Sequence, residues 1–227
     1  FAMSRLVLRI WLPDRPGALG AVASRVGAIR GDVVGIEVVE RDGGVAVDDL
    51  VVDLPDDGLL ELMLAEVRQV DGVRVEDVHS DSAAPADPTR AAFESARVIM
   101  VAEGADELAR ITVEQARRLV GADWVCLLDA AGEAVAGSGP VPLASWLGAF
   151  RDGVKGGGAD GPADPVCLAV PGPHWDLLVG RQSRALRGRE RDRLVGLGEL
   201  ASARWEELGR RQSRLLHPSG SGRAQTA

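Results

Sequence analysis

The segment Leu12-Pro13-Asp14-Arg15-Pro16-Gly17-Ala18-Leu19 carries the residue types best suited to binding a small ligand. Proline presets φ for the start of a helix, and glycine lets the backbone approach a ligand closely because it has no Cβ atom. The backbone N–H groups of Gly17, Ala18 and Leu19 are predicted to be free at the positive end of a helix. A carboxylate is the group that such a helix end binds.

Two carboxylates are candidates to complete a site for a zwitterion. Asp14 stands where the predicted first strand ends, and Asp32 stands where the next strand begins. An α-ammonium group needs an acceptor of this kind, so the loop and the two acids together predict recognition of an amino acid. A second interpretation needs no ligand: Asp14 caps the helix, since aspartate is among the preferred N-cap residues.

The apolar pattern predicts the elements that hold this loop. Apolar residues alternate up to Pro13, as in a strand, and recur at steps of three and four from Leu19 to Ile29, as in an amphipathic helix. Three more strands and a second helix follow up to Val78, with a tight turn at Asp42-Gly43-Gly44. The order βαββαβ predicts an α+β fold, a ferredoxin-like sandwich with two helices on one face of a four-stranded antiparallel sheet.

The loop and the element order resemble those of ACT domains, over about Leu6 to Val78. Loops of that family commonly read Asp or Asn, Arg, Pro, Gly, then two small or apolar residues. The resemblance implies a homodimer that binds an amino acid between this loop and the partner's second strand, here Asp32, Val33 and Val34. Ligand-binding members often carry Asn where Val33 and Val34 stand. The alternative is therefore a scaffold that dimerises and binds a protein partner without a small ligand.

Composition divides the chain into two domains. Residues 4–80 form the ACT-like domain, and residues 81–90, with two prolines and several small residues, form a linker. Residues 91–213 form the second domain, in which the Gly-rich stretch 151–164 is predicted to be a loop. Residues 214–227 are predicted to be a flexible tail.

The second domain reads as helix, two strands, short helix, two strands and long helix. One helical region is predicted from Thr89 to about Val120, a short helix from Leu143 to Phe150, and the long helix from Arg189 to Gln212. This outline resembles a GAF domain, an α/β sandwich with flanking helices, over about Ala91 to Gly209. The resemblance implies small-molecule binding or dimerisation and identifies no ligand.

Trp146, His174 and Trp175 of the second domain are candidates to line a pocket. Aromatic residues with one polar group can line a binding pocket. Ordinary packing of these residues is the alternative.

The net charge of −8 disfavours general binding to nucleic acids or anionic membranes. The charge is uneven: residues 1–80 hold 8 Arg against 15 acids, whereas residues 181–227 hold 11 Arg against 5 acids. Pairing of these arginines along their own helix, or with the acidic N-terminal domain, is expected instead.

Catalysis is not predicted. The three histidines lack metal-ligand spacing, no nucleotide-binding fingerprint is present, and no cofactor or metal is expected. Cys126 and Cys167 lie in apolar runs and are expected to be buried thiols. No stretch is apolar enough for a membrane helix and no signal segment is recognised, so we expect a cytoplasmic regulatory protein with an unidentified protein target.

Overall fold

The computed structural model describes residues 4–80, 87–156, 167–170, 174–182 and 184–216. The first half confirms the predicted element order. It consists of β1 (Ser4–Pro13), α1 (Ala18–Ala28), β2 (Asp32–Asp42), β3 (Val45–Leu54), α2 (Leu60–Val67) and β4 (Arg74–Ser80). The four strands form an antiparallel sheet in the order β2-β3-β1-β4, which is the predicted ferredoxin-like arrangement.

The alternation of β1 and β3 sorts their side chains onto two faces. Leu8 and Ile10 of β1, together with Leu50 and Val52 of β3, are fully buried beneath α1 and α2. Val22, Val26, Met63 and Val67 of the helices complete this core, since apolar residues at helical spacing share one side. The opposite face of the sheet carries charged residues in register, such as Arg9 opposite Asp49.

The second half also contains a four-stranded antiparallel sheet, of order β6-β5-β8-β7. Its elements are α3 (Pro88–Met100), α4 (Ala105–Val120), β5 (Trp124–Leu128), β6 (Ala134–Ser138), α5 (Ala144–Gly156), β7 (Cys167–Val170), β8 (Asp176–Gly180) and α6 (Gly188–Leu216). The two central strands, β5 and β8, are buried along their whole length. Their residues alternate between a core shared with α3, α4 and α6 and a smaller core beneath α5. The chain is thus an α+β protein, as the sequence predicts.

The single helical region expected from Thr89 to Val120 is wrong, because the chain forms α3 and α4 there. Gly104 is the N-cap of α4, and the break leaves the carbonyl of Ala102 to accept hydrogen bonds from Arg204 of α6 at 2.6 and 3.0 Å. The apolar run Val98 to Ala102 reaches the break and apolar spacing resumes at Leu108, so the periodicity by itself did not reveal it.

Several boundaries also differ from the expectations. Asp87 caps α3 by accepting hydrogen bonds from the N–H groups of Thr89 and Arg90, so the helix begins inside the stretch expected to be a linker. Helix α5 runs to Gly156, into the stretch expected to be a Gly-rich loop, and α6 runs to Leu216. The remainder of that loop, 157–164, the linker residues 81–86 and the tail residues 217–227 lie outside the described residues.

Candidate functional site

The loop before α1 has a glycine in a conformation that other residues avoid. Gly17 is the N-cap of α1 with φ +88° and ψ −13°, the left-handed region, and no side chain caps the helix. Asp14 instead donates its own N–H to the carbonyl of Gly44 at 2.9 Å. The interpretation of Asp14 as a simple helix cap is therefore wrong. Pro16 lies in the turn before the helix and not in its first turn.

The start of α1 presents unpaired donors to open space. Of the three N–H groups predicted to be free, that of Ala18 donates to the carbonyl of Arg15 at 3.3 Å. Those of Gly17 and Leu19 have no acceptor in the described part of the chain, and the same is true of Gly20. A Cβ atom built on Gly17 or Gly20 would meet nothing within 4 Å. Since the first N–H groups of a helix carry partial positive charge, this end suits an anionic group.

Charged side chains lie around the loop, but none of those described accepts a hydrogen bond from these N–H groups. Asp14, 40% exposed, lies 3.7 Å from the guanidinium of Arg41 at the end of β2. Arg15 reaches only the fully exposed Asp71, at 3.5 Å. Both contacts are long and solvated, so these side chains can change partner at small cost.

The second group of predicted site residues lies at the other end of the sheet. Asp32 and Val33 pair with Asp53 and Val52 of β3, whereas the loop joins the sheet beside Val45. The structure therefore does not bring Asp32, Val33 and Val34 near Asp14 within one chain. They lie on β2, an edge strand on which Val34 and Ile36 are 46% and 51% exposed.

One acid near the loop was missed in the sequence. Asp48 belongs to the helix-facing row of β3, next to Ile10 of β1, and only 3% of it is exposed. Its Oδ1 atom has no hydrogen-bond partner among the described residues. Burial raises the pKa of Asp48, an effect that Arg41 opposes and the negative charges of Asp49 and Asp14 reinforce. The available signal in the sequence was an aspartate at a position of Val45–Leu54 where the alternation of the strand calls for an apolar residue.

The charged face of the first sheet is covered by the Arg-rich segment that leads into α6. Arg187 bridges two strands, with its Nη atoms 3.0 Å from Glu40 and 2.8 Å from Glu76, and its guanidinium lies over the ring of Trp11 at 4.6 Å. Arg193 of α6 pairs with Glu37 of β2. The expectation that the basic segment pairs with the N-terminal domain is confirmed for these residues.

A buried ion-pair network joins the two halves at the centre of this contact. Arg9 of β1 donates to Asp49 at 2.7 Å and to Glu190 of α6 at 3.3 and 3.4 Å. Glu190 also accepts from Arg181, at 2.8 and 3.0 Å. Burial would raise the pKa of Glu190, but the hydrogen bonds and charges of Arg181 and Arg9 lower it to about 2. The carboxylate of Glu190 is therefore charged throughout the physiological range.

His79 and Arg184 lie beside this network. Asp77 contacts both, at 2.8 Å from Nδ1 of His79 and at 3.6 Å from the guanidinium of Arg184. Burial, with the charges of Arg181 and Arg9, lowers the pKa of Arg184 to about 10. Burial and the charge of the adjacent Arg184 lower the pKa of His79, an effect that its hydrogen bond with Asp77 opposes.

The pocket that grouped Trp146 with His174 and Trp175 is wrong. Trp146 stacks on Phe150 at 5.2 Å and touches Trp124 on the α5 side of the second sheet. Trp175 and His174 contact Trp205 of α6, on the opposite side. Both groups are ordinary packing. Cys126 is a buried free thiol, as predicted, whereas the side chain of Cys167 lies outside the described part of the structure.

A cavity of about 780 Å³ opens between the start of α4 and the end of α6. Asp106 and Glu107 occupy the first turn of α4 and offset its positive end, so this cavity does not suit an anion. Within the described ranges, no group of three or more His, Cys, Asp or Glu side chains could hold a metal ion. Nor does any helix of those ranges have the length and apolarity to cross a bilayer.

Neither a protein-family model nor a curated protein matches the sequence. Solved structures that resemble the chain include the ACT domain of a GTP pyrophosphokinase from Chlorobium tepidum. That alignment covers 34% of this chain and 97% of the other, with 17% identity and a TM-score of 0.29.

Similar solved structures also include the GAF domain of a protein assigned as a sensor histidine kinase from Pseudomonas syringae pv. tomato. It covers 58% of this chain and 93% of the other, with 15% identity and a TM-score of 0.37. The chromophore-binding domain of a bacteriophytochrome from R. palustris covers 92% and 96%, with 8% identity and a TM-score of 0.40. Solved structures similar to this chain thus include both ACT and GAF domains, the two families that the sequence resembles.

Proposed function

We propose that the chain is a non-enzymatic sensor that binds an amino acid at the loop before α1. The free N–H groups of Gly17, Leu19 and Gly20, at a helix start with no side-chain cap, carry this proposal. They form a ready site for an α-carboxylate. Arg15, Pro16 and Ala18 shape the loop, and Asp14 supplies a negative charge beside it.

The proposed site lies between two copies of the chain. Strand β2 is an edge with exposed Val34 and Ile36, and unpaired edges of this kind can pair with a second strand. If two copies of β2 pair in antiparallel fashion across a two-fold axis, the start of one lies beside the end of the other. Asp32 and Val33 of one copy would then approach Asp14 and the α1 loop of its partner, as they do not within one chain.

The contact between the two halves offers a route for the signal. Arg187 and Arg193 hold Glu37, Glu40 and Glu76, which lie on strands of the ligand-binding half. A shift of β2 on ligand binding would therefore act on α6, the longest helix of the GAF-like half. The output would be a change in how that half binds a protein target.

A thermal-shift screen of the full chain against the twenty amino acids tests the proposal. Because a ligand that binds only the folded state raises its apparent stability, we expect one amino acid, or a few of related structure, to raise the melting temperature. An Asp42→Asn variant, which removes an exposed charge near the loop, should keep the response. If no amino acid raises the melting temperature at millimolar concentration, amino-acid sensing is rejected.

The alternative is a scaffold that dimerises and binds a protein partner without a small ligand. The exposed apolar residues of β2 favour it, because they can support pairing by themselves. A stable dimer in light scattering, together with no response to any amino acid, would select this alternative.

A further inference from the structure

His79 is a buried histidine at the contact between the two halves, and only one of its ring nitrogens has a partner. It lies on β4 beside Val7 of β1, on the face of the sheet that the Arg-rich segment covers. Its side chain is 13% exposed, and Nδ1 lies 2.8 Å from Oδ2 of Asp77. Nε2 is buried and makes no hydrogen bond within the described part of the chain. Because a protonated imidazole is a donor at both nitrogens, protonation would leave an N–H group here without an acceptor.

Asp77, the partner of His79, is also the acid that pairs with Arg184 of the second half. Arg184 is 6% exposed, and its guanidinium lies 3.6 Å from the same Oδ2 atom of Asp77. Arg184 forms no other ion pair with the described residues, and its Nε atom is buried without a partner among them. A positive charge on His79 would therefore compete with Arg184 for one carboxylate and would also repel it.

The other charges of this contact are balanced when His79 is uncharged. Three guanidinium groups and three carboxylates lie around His79, namely Arg9 of β1, Asp49 of β3, Asp77 of β4, Arg181 and Arg184 before α6, and Glu190 of α6. The charged residues at the edges of the contact are paired, Arg5 with Asp53, Arg193 with Glu37, and Arg187 with Glu40 and Glu76. A proton on His79 would add a fourth positive charge against three negative ones, and an unbalanced charge is costly in a buried site.

The pKa of His79 agrees with this balance. Burial and the charge of Arg184 lower the pKa, and the hydrogen bond and charge of Asp77 with the charge of Asp49 oppose that effect. A pKa below the usual value of about 6.5 leaves the ring uncharged at pH 7.5. When the halves separate, the exposed ring regains its usual pKa, so acid favours the separated state.

We propose that the contact between the two halves is a pH-sensitive switch, in which protonation of His79 weakens the docking of the segment before α6 on the first sheet. The contribution of His79 to docking is complete above about pH 6.5 and decreases as the pH falls below that value, because the undocked form takes up the proton first. Glu190 and Arg184, with pKa values of about 2 and about 10, keep their charges through this range. The switch does not depend on the amino-acid site proposed above.

Hydrogen exchange of the full chain, measured by mass spectrometry at pH 7.5 and pH 5.5, tests the switch. Exchange rates are divided by those of an unstructured peptide at each pH, so that protection reports structure alone. We expect the protection of residues 184–193 to fall by up to about tenfold at pH 5.5, the limit for an exposed histidine of ordinary pKa. His79→Asn, whose amide can donate to Asp77 but cannot become charged, should show less than about a twofold change. His174→Asn removes a histidine that contacts Trp205 instead, and it should respond like the unmodified protein.

Nuclear magnetic resonance gives a second measurement that needs no change at His79. The ring of His79 in the unmodified protein should titrate with a midpoint below about 6.5, and Arg184→Gln, which removes the adjacent cation, should raise that midpoint. A midpoint at or above about 6.5 in the unmodified protein, or the same loss of protection in His79→Asn, overturns the proposal. Equal protection of the unmodified protein at both pH values overturns it as well. None of these outcomes bears on amino-acid binding.

Discussion

Gly17 is the residue on which the geometry of the candidate site depends. Its left-handed backbone closes the turn that leads into α1, and no side chain caps the helix that follows. Any side chain at this position pays the steric cost of positive φ, even though no neighbour would clash with it. Conformation, and not contact, makes the glycine necessary.

A pair of glycine substitutions separates these two effects. We expect Gly17→Ala to lower the free energy of unfolding by roughly 1–2 kcal/mol, the cost of a left-handed non-glycine residue. Gly20→Ala, in the first turn of the same helix with equally open surroundings, should raise it by about 0.5–1 kcal/mol, because alanine loses less backbone entropy. Urea unfolding of both variants checks the prediction, and equal effects of the same sign would contradict it.

The residue types of the loop were readable in the sequence, but their pairing was not. The Pro-Gly step correctly marked the start of α1, since both residues act through local backbone geometry. By residue type alone, Asp14 was a plausible helix cap. In the structure, however, the N–H of Asp14 donates to the carbonyl of Gly44, and the side chain of Asp14 lies beside Arg41. The burial of Asp48 was not predicted, because the sequence of a strand does not show which of its residues a helix covers.

At the scale of elements, the edge strand β2 decides whether two copies can meet. Glu37 pairs with Arg193 of α6 and Glu40 pairs with Arg187 just before that helix, so this face of β2 is occupied within the chain. Ile36, half exposed on the helix side, and Val34 remain accessible. Edge strands without charge or proline at their exposed positions favour pairing.

A charge on this edge is expected to prevent dimer formation. We predict that Ile36→Lys shifts the protein from dimer to monomer in sedimentation velocity experiments, because lysine at an edge opposes strand pairing. Leu143→Lys, at a residue 79% exposed before α5, is the matched control and should remain dimeric. A dimer that persists in Ile36→Lys would place the interface elsewhere and remove Asp32 from the proposed site.

Element order was predictable in both halves because each strand and helix carries its own apolar period. The alternation in β1 and β3 and the three-four spacing in α1 depend only on which residues face a core. The break between α3 and α4 was not predictable in this way, since its stability comes from Arg204 of a distant helix bonding to Ala102. The spacing of apolar residues within one helix or strand does not show which other elements it will contact.

At the scale of the whole molecule, charge asymmetry along the chain becomes an internal contact. The acidic N-terminal half and the basic segment 181–193 meet on the outer face of the first sheet, where Arg187 contacts two strands at once. The sequence indicated which regions attract each other. The individual pairs followed only from the way the two halves dock.

Arg187 is expected to couple the halves measurably. We predict that Arg187→Ala lowers the free energy of unfolding by about 1–3 kcal/mol, since two partly buried ion pairs and the stacking on Trp11 are lost together. Arg189→Ala, at an exposed position in the first turn of α6, should change the free energy of unfolding by less than about 0.5 kcal/mol. Hydrogen exchange in β2 and β4 should rise only in the first variant, and similar exchange in both would argue against coupling.

Glu190 gives the network a defined response to acid. Its pKa of about 2 in the folded protein lies below the value of about 4.3 for an unfolded glutamate, so folding favours the charged form. The resulting stabilisation is complete above about pH 4.3 and disappears as the pH falls toward 2, because the unfolded chain takes up the proton first. We expect Glu190→Gln to cost about 3–5 kcal/mol at neutral pH, since Arg9 and Arg181 lose their shared partner.

Unfolding by urea at a series of pH values checks this assignment. The difference in free energy between the unmodified protein and Glu190→Gln should narrow below about pH 4.3. Glu199→Gln, at an exposed position of α6, serves as the control and should follow the unmodified protein at every pH. A constant difference across the series would mean that Glu190 acts through packing and not through its charge.

The position of Arg9 limits how the two halves of this chain can be exchanged with those of other proteins. Arg9 lies in the first strand, yet its guanidinium is shared between Asp49 of its own sheet and Glu190 of the last helix. A hybrid protein that received its first 80 residues from a different ferredoxin-like domain would keep Arg181 and Glu190 but lose the second cation that pairs with Glu190. Recombination at the boundary between the halves would therefore have to exchange segment 181–193 as well, and each half is poorly suited to work with a foreign partner.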